Sequence, residues 1–202
     1  IMLGTIIKDF KNIFGQFIYY FVLMVVFMAV SVITKNIYYY MGAIVFFCVA
    51  VPLSALAYDE KDNWDKFALA SGVTRNQLAV SRYLLGLIVF LPMWAVSFIL
   101  VAAGGMWNIE NLSVLLSYGG IALLTIDAIL PVVLKIGVEK GRLVYILTIL
   151  NVIALGGVLA FLVEAIGGDS VLYSSVAVLA LGIAGFFLSI KIACNIYRKK
   201  DF

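Results

Sequence analysis

The sequence predicts an all-α integral membrane protein: six transmembrane helices, an amphipathic interfacial helix before the first, and a short cytoplasmic helix between spans two and three. Of the 202 residues, 65% are hydrophobic and 12% are charged, and the mean hydropathy is +1.14. A soluble domain is about half apolar and about a quarter charged. Apolar segments of about 20 residues, the length that crosses the hydrocarbon core as a helix, recur along the chain. The chain length suits one domain, which we assign to residues 1–202.

The N-terminal segment, residues 1–14, has an amphipathic pattern. Its large apolar residues recur at helical spacing, and Thr5, Lys8, Asp9 and Lys11 fall on the other face. We predict a helix that lies in the membrane interface. The alternative is that these residues are the plain start of the first span.

Six apolar segments follow, without the alternation of transmembrane β-strands. The predicted spans are residues 14–33, 38–57, 78–102, 115–134, 143–163 and 171–193. Lysine and arginine lie almost entirely on one side of these spans, and Lys35 alone lies on the other. The positive-inside rule therefore predicts that both termini, and the loops after spans two and four, are cytoplasmic.

The one long polar interval lies within residues 58–84, and we predict a cytoplasmic coupling region over residues 59–77. Asp62 can cap a short helix that runs to about Ser71, with Asp65 at its third position. Gly72 can end that helix with a left-handed turn.

The next helix has its own start signal. Thr74 and Gln77 have the spacing of a capping box at the entry to the third span. The corner is therefore predicted to be rigid, as a docking element that transmits force would require. An ordinary capped loop on the lipid headgroups would have the same pattern.

Four residues in the predicted spans are candidate intramembrane polar or gating positions. Asp127 is a functional candidate because a carboxylate in a membrane is costly, and Pro131, four residues later, is expected to bend the helix. The structural alternative for Asp127 is a pair with Lys135 or with a donor on another span. Gln16 and Asn151 can form hydrogen bonds between helices.

Several chemistries find no support in the sequence. The chain has no histidine, and Cys48 and Cys194 are too far apart for a zinc pattern. It has no phosphate-binding loop and no set of catalytic residues. We therefore expect no enzyme activity, metal or cofactor in this chain, and energy input from a gradient or a partner. Basic residues sit at helix ends, so we expect no nucleic-acid partner.

The polar interval resembles the permease subunits of type-2 ABC exporters. The residues that carry the likeness are Tyr58-Asp59-Glu60, Trp64, Phe67-Ala68-Leu69-Ala70, Val73-Thr74-Arg75 and Ser81-Arg82-Tyr83-Leu84. Within that family the chain resembles small bacterial permeases that export phenol-soluble-modulin-type or antimicrobial peptides. Gly72 stands where the family has a proline, which bears on the stiffness of the corner.

This resemblance implies two copies of the chain assembled with two ATPase subunits in a bacterial plasma membrane. ATP and magnesium would be bound by the ATPase, and the substrate would be an amphipathic peptide or hydrophobic compound. Spans one and five would meet between the two copies. The residues implied to dock on the ATPase are Asp62, Trp64, Asp65, Lys66, Phe67 and Arg75.

Two other functions remain open from the sequence. A small gradient-driven transporter would use Asp127 for coupling. A non-transporting membrane scaffold or immunity subunit would use the polar interval as a protein-binding surface.

Overall fold

The computed structural model describes residues 2–141, residue 146 and residues 170–200. Across these residues the chain is helical and has no strand, as the sequence predicts. The helices with defined bounds are α1 (Met2–Thr34), α2 (Tyr38–Lys61), α3 (Trp64–Ala70), α4 (Arg75–Ala103), α5 (Ile109–Ile136) and α6 (Ser170–Lys199).

In the described part of the chain, five helices are long and apolar enough to cross a membrane, namely all but α3. They correspond to five of the six predicted spans. The remaining predicted span, residues 143–163, lies outside the described residues except for Ile146.

The N-terminal segment differs from the prediction of a separate interfacial helix. The helix α1 runs without interruption from Met2 to Thr34, so residues 2–14 are its first turns. No proline or residue with positive φ interrupts its backbone hydrogen bonds. Thr5 and Asp9 are buried by other helices of the chain, which shows that the polar face of this segment contacts protein.

The central and peripheral helices differ in how much of their surface the chain itself covers. In the most apolar window of each span, 67% of α2 and 61% of α5 is buried, against 6% of α1. A helix that is apolar on every side is stable only when it is covered. The large apolar residues that α1 exposes therefore suit contact with lipid or with another chain.

Helices α5 and α6 run in the same direction and pack at close range. A Cβ atom at Gly120 would lie 2.6 Å from the carbonyl oxygen of Val178. Glycine therefore lets the two backbones approach, as small residues do between membrane helices. This contact places the middle of α6 directly against the face of α5 that carries Asp127.

The corner between α3 and α4 has the predicted geometry. Gly72 has a φ of +88°, in the left-handed region that favours glycine. The Gln77 backbone N–H donates to Thr74 Oγ1 at 3.3 Å, and the Thr74 backbone N–H donates to Gln77 Oε1 at 3.0 Å. Both halves of the capping box are therefore present at the start of α4.

The start of α3 differs from the prediction. Asp62 is the C-cap of α2, because α2 continues to Lys61 instead of ending at residue 57. Asn63 is the N-cap of α3, with a φ of +50° and no hydrogen bond from its side chain. The prediction that Asp62 caps α3 is wrong, since the preceding helix takes up the residues that a longer loop would have left free.

Candidate functional site

Five charged residues from four helices meet at the end of the bundle where α3 lies, which we call the α3 end. They form an ion cluster: Lys8 and Asp9 of α1, Asp59 of α2, Asp65 of α3 and Arg82 of α4. Helix starts and ends coincide there, so residues remote in sequence become neighbours.

Arg82 is the centre of this cluster, and its side chain is 0% exposed. Its Nη1 lies 2.8 Å from Asp9 Oδ2, and its Nη2 pairs with Asp59 and lies 3.4 Å from Asp65 Oδ1. The planar guanidinium presents five N–H donors in fixed directions, so one arginine can serve several carboxylates at once.

Lys8 supplies the second cation. Its Nζ lies 2.8 Å from Asp9 Oδ1 and also pairs with Asp59. The same ammonium lies 4.4 Å from the centre of the Trp64 ring, within the range of a cation–π contact. The N-terminal turns of α1 therefore contact both the end of α2 and the start of α3.

The end of α6 is tied to the same region through hydrogen bonds. The Tyr197 hydroxyl donates to Asp65 Oδ2 at 3.0 Å. Arg75 Nη1 donates to the carbonyl oxygen of Arg198 at 2.7 Å, and Arg198 Nε donates to Asn76 Oδ1 at 3.1 Å. Four of the five long helices, α1, α2, α4 and α6, thus contact one another at the ion cluster, either directly or through α3.

A carboxylate of α2 reaches the end of α5 as well. Glu60 Oε2 accepts a hydrogen bond of 2.9 Å from the backbone N–H of Val138, just past the end of α5. Every described membrane-spanning helix is therefore connected to the α3 end, so a displacement there would act on all of them.

The charges of the ion cluster depend on one another for compensation. Three carboxylates surround two cations, and Asp9 and Arg82 are fully buried. Burial of an ion is costly unless an opposite charge accompanies it, and removal of one partner leaves the others unpaired. The cluster therefore couples the positions of the helices that carry it.

The six residues predicted to dock on a partner divide into two groups. Asp62, Lys66 and Phe67 point outward, and the Phe67 side chain is 62% exposed. Asp65 and Arg75 bond within the chain, as described above, and Trp64 packs beside Lys8.

Trp64 nevertheless has one feature that a partner could use. Its indole N–H is buried and has no acceptor within the described structure. The Trp64 and Phe67 rings lie 5.3 Å apart, so the two aromatic residues form one continuous patch on α3. The inner half of that patch contacts the bundle and the outer half is exposed.

Sequence reasoning missed four members of the ion cluster as site residues: Lys8, Asp9, Asp59 and Arg82. The available signal is Arg82, which lies about one turn inside the predicted span 78–102, and a buried arginine requires acidic partners. The amphipathic pattern of residues 1–14 places Asp9 on a surface that faces the lipid headgroups, so it does not identify Asp9 as the partner of Arg82.

Asp127 lies in the middle of the bundle, on the face of α5 that meets α6. Both of its carboxylate oxygens are buried, and neither has a hydrogen-bond partner among the described residues. A Cβ atom at Gly185 would lie 2.8 Å from Asp127 Oδ2, so the glycine makes room for the carboxylate. The expected pair with Lys135 is not formed.

The surroundings of Asp127 include a short hydrogen-bond chain to its backbone. Ser189 Oγ donates to the Asp127 carbonyl oxygen at 2.7 Å, and Tyr83 Oη lies 2.6 Å from Ser189 Oγ. Since the single serine proton is used by the carbonyl, Tyr83 is the donor to Ser189. This chain links α4, α5 and α6 but leaves the carboxylate itself unsatisfied.

The other predicted intramembrane positions have different settings. Pro131 is buried inside α5, which continues on both sides of it. Gln16 Nε2 donates to the Tyr58 hydroxyl at 3.1 Å, which joins α1 to α2 within the chain. Asn151 lies outside the described residues. In the ranges that the structure describes, no group of three or more Cys, Asp or Glu could hold a metal ion.

Comparison with known families decides what kind of protein carries this arrangement. The family described as ABC-2 family transporter protein matches residues 4–198. The chain belongs to this family. Comparison with curated proteins and with solved structures found no match. As an ABC-2 family chain it is a multi-pass membrane protein of the type-2 ABC permease class, and membership implies an ABC ATPase as partner.

Proposed function

We propose that the chain is the membrane-spanning subunit of an ATP-driven exporter, whose two copies form a translocation path for amphipathic peptides or hydrophobic compounds. A separate ATPase binds ATP and magnesium and hydrolyses the nucleotide, and this chain has no enzyme activity of its own. The α3 end faces the cytoplasm of a bacterial cell, where the ATPase docks. The observation that carries the proposal is the two-sided arrangement of α3.

The outer side of α3 supplies a docking surface. Lys66 and Phe67 are exposed on this side, and Asp62 is exposed just before α3, so an apolar ring is accompanied by one acidic and one basic side chain. Aromatic residues, phenylalanine among them, are enriched at protein interfaces relative to the rest of the surface.

The inner side of α3 supplies the connection to the membrane helices. Asp65 pairs with Arg82 of α4 and accepts from Tyr197 of α6. The corner that follows is short and capped at Thr74, so it has little freedom to absorb a displacement. Movement of α3 by the ATPase would therefore be passed to α4 and α6.

Apolar surfaces of the chain support a hydrophobic cargo. Between α1 and α2, at the end opposite α3, lies a cavity of about 470 Å³ with almost entirely apolar walls that include Leu23, Phe27, Phe46 and Phe47. The peptide class itself rests on the resemblance of the polar interval to peptide-exporting permeases.

Phe67→Ala tests the docking surface. We expect the variant to lose most of its recovery with the ATPase, because truncation of a residue that anchors an interface can cost about 2 kcal/mol or more. The measurement is co-purification of the two subunits, followed by ATPase activity with candidate peptides. Thermal stability of the permease alone is expected to stay unchanged, since Phe67 is largely exposed.

Phe187→Ala is the matched control, because Phe187 is 65% exposed on α6, away from α3. Full complex recovery by the Phe67 variant would count against the docking surface. A wild-type chain that purifies alone and transports without ATP would overturn the whole proposal.

A gradient-driven transporter is the second candidate, and the unsatisfied carboxylate of Asp127 favours it. In that function Asp127→Asn would abolish transport even with an intact ATPase. Retained ATP-dependent transport by this variant rules the gradient-driven function out.

A further inference from the structure

A groove at the α3 end of the bundle has no part in the function proposed above. It lies between the ends of α5 and α6, has a volume of about 620 Å³, and opens toward the outside of the chain. Its walls come from both helices, which run side by side in the same direction.

The walls have an apolar part and a cationic part. Pro131 of α5 and Ile192 and Ile196 of α6 lie toward the middle of the bundle. Lys135 and Lys199 follow about one turn later on the same two helices, toward the α3 end. The groove therefore changes from apolar to positively charged along the direction of the membrane normal.

The described lining of the groove carries an excess of positive charge. Three lysines line it, namely Lys135, Lys199 and Lys200, and none of its lining residues within 2–141 and 170–200 is acidic. Lys200 Nζ donates to the carbonyl oxygen of Leu134 at 3.1 Å, which fixes the end of α6 over the last turn of α5. Lys135 and Lys199 lie in the last turns of α5 and α6, where a cation is favoured. Both side chains are exposed and line the same groove, so their ammonium groups can also bind an anion there.

We propose that this groove binds an anionic phospholipid from the leaflet at the α3 end. The headgroup phosphate lies between Lys135 and Lys199, and an acyl chain lies along Pro131, Ile192 and Ile196. Basic pockets between membrane helices are a general mode of anionic headgroup binding. Free phosphate would satisfy the lysines and leave the apolar walls exposed, which is why the groove fits a lipid.

The bound lipid would join two helices that differ in their other contacts. The end of α6 is tied to α3 and α4 through Tyr197 and Arg75. The end of α5 contacts α2 through Glu60. A lipid between them would therefore fix the spacing of α5 and α6 close to the ion cluster.

Native mass spectrometry of the purified full-length chain tests the proposal. The probes are phosphatidylglycerol and phosphatidylcholine with identical acyl chains. We expect phosphatidylglycerol to be retained preferentially by the wild type, and the double variant Lys135→Gln/Lys199→Gln to retain it about tenfold less or weaker still. Lys61→Gln/Lys66→Gln is the control, because it removes two exposed lysines at the same end, outside the groove.

Two further measurements separate the apolar part from the charge. Ile192→Trp, which fills the apolar part, is expected to reduce retention with an unchanged circular dichroism spectrum. Inorganic phosphate at millimolar concentration is expected not to displace the lipid. Equal retention of the two lipids, an unaffected groove variant, or displacement by phosphate would each overturn the proposal.

Discussion

The ion cluster and Asp127 are two acidic sites in one bundle with opposite local environments. In the ion cluster, Asp9 and Asp59 are buried and each lies against both Lys8 and Arg82. At Asp127, both oxygens are buried and no donor reaches them from the described residues. The first site lies where helices begin and end, and the second lies in the middle of two closely packed spans.

This difference separates a structural contribution from a functional one. Desolvation of a carboxylate is costly in either place, but in the ion cluster the cations offset that cost and hold helices together. At Asp127 nothing described offsets it, so the residue weakens the packed state. An intramembrane acid that contributes no stability is expected to serve a function.

Arg82→Met breaks the ion cluster and has the largest expected effect on stability. Removal of one partner from a buried ion network costs about 3–5 kcal/mol, because the remaining charges stay buried without compensation. We expect a sharply lowered melting temperature in detergent and a reduced yield of folded chain. Scanning fluorimetry and size-exclusion chromatography measure both.

Arg82→Lys keeps the charge and removes the fork of N–H donors, so it distinguishes loss of charge from loss of geometry. We expect it to recover part of the lost stability. Arg75→Met is the control, since Arg75 is only partly buried and donates to backbone carbonyls. An Arg82→Met variant that melts with the wild type would refute the structural role of the cluster.

The helices and the α3 corner could be predicted from sequence because their causes are local. A run of apolar residues predicts a span wherever it falls, and Thr74 and Gln77 are three residues apart. The cap of α3 was harder, since the end of α2 depends on where the neighbouring helices pack. Asp62 and Asn63 compete for the same position, and their order in the chain does not decide which one caps.

The ion cluster could not be predicted because its pairs span long sequence separations. Asp9 and Arg82 are 73 residues apart, and no local spacing relates them. The prediction placed residues 2–14 on the membrane surface, which left Arg82 without a partner. A continuous α1 brings Asp9 to it, so the error in the helix concealed the site.

Tyr197→Phe tests whether α6 contributes to the ion cluster, and its expected effect on stability is intermediate. The hydroxyl donates to Asp65 Oδ2, and a hydrogen bond to a charged group contributes about 1.5–3 kcal/mol. We expect a modest drop in melting temperature, less than that of Arg82→Met. Tyr173→Phe is the control, because Tyr173 is largely exposed on the same helix. Equal melting of the two variants would place α6 outside the cluster.

Asp127→Asn has the smallest expected effect on stability. A neutral amide is less costly to bury than a carboxylate without partners. We therefore expect the melting temperature of this variant to stay unchanged or to rise. The matched variant Asp59→Asn removes a charge that is paired with Arg82 and Lys8, so its melting temperature is expected to fall.

The melting temperatures of Asp127→Asn and Asp59→Asn together show whether the Asp127 carboxylate has a partner. If Asp127→Asn loses as much stability as Asp59→Asn, the Asp127 carboxylate has a partner in the assembled protein. The two sites then do not differ in whether their buried charge is compensated. If Asp127→Asn is as stable as the wild type but transports more slowly, the acid contributes to the transport cycle and not to the packing of α5 against α6.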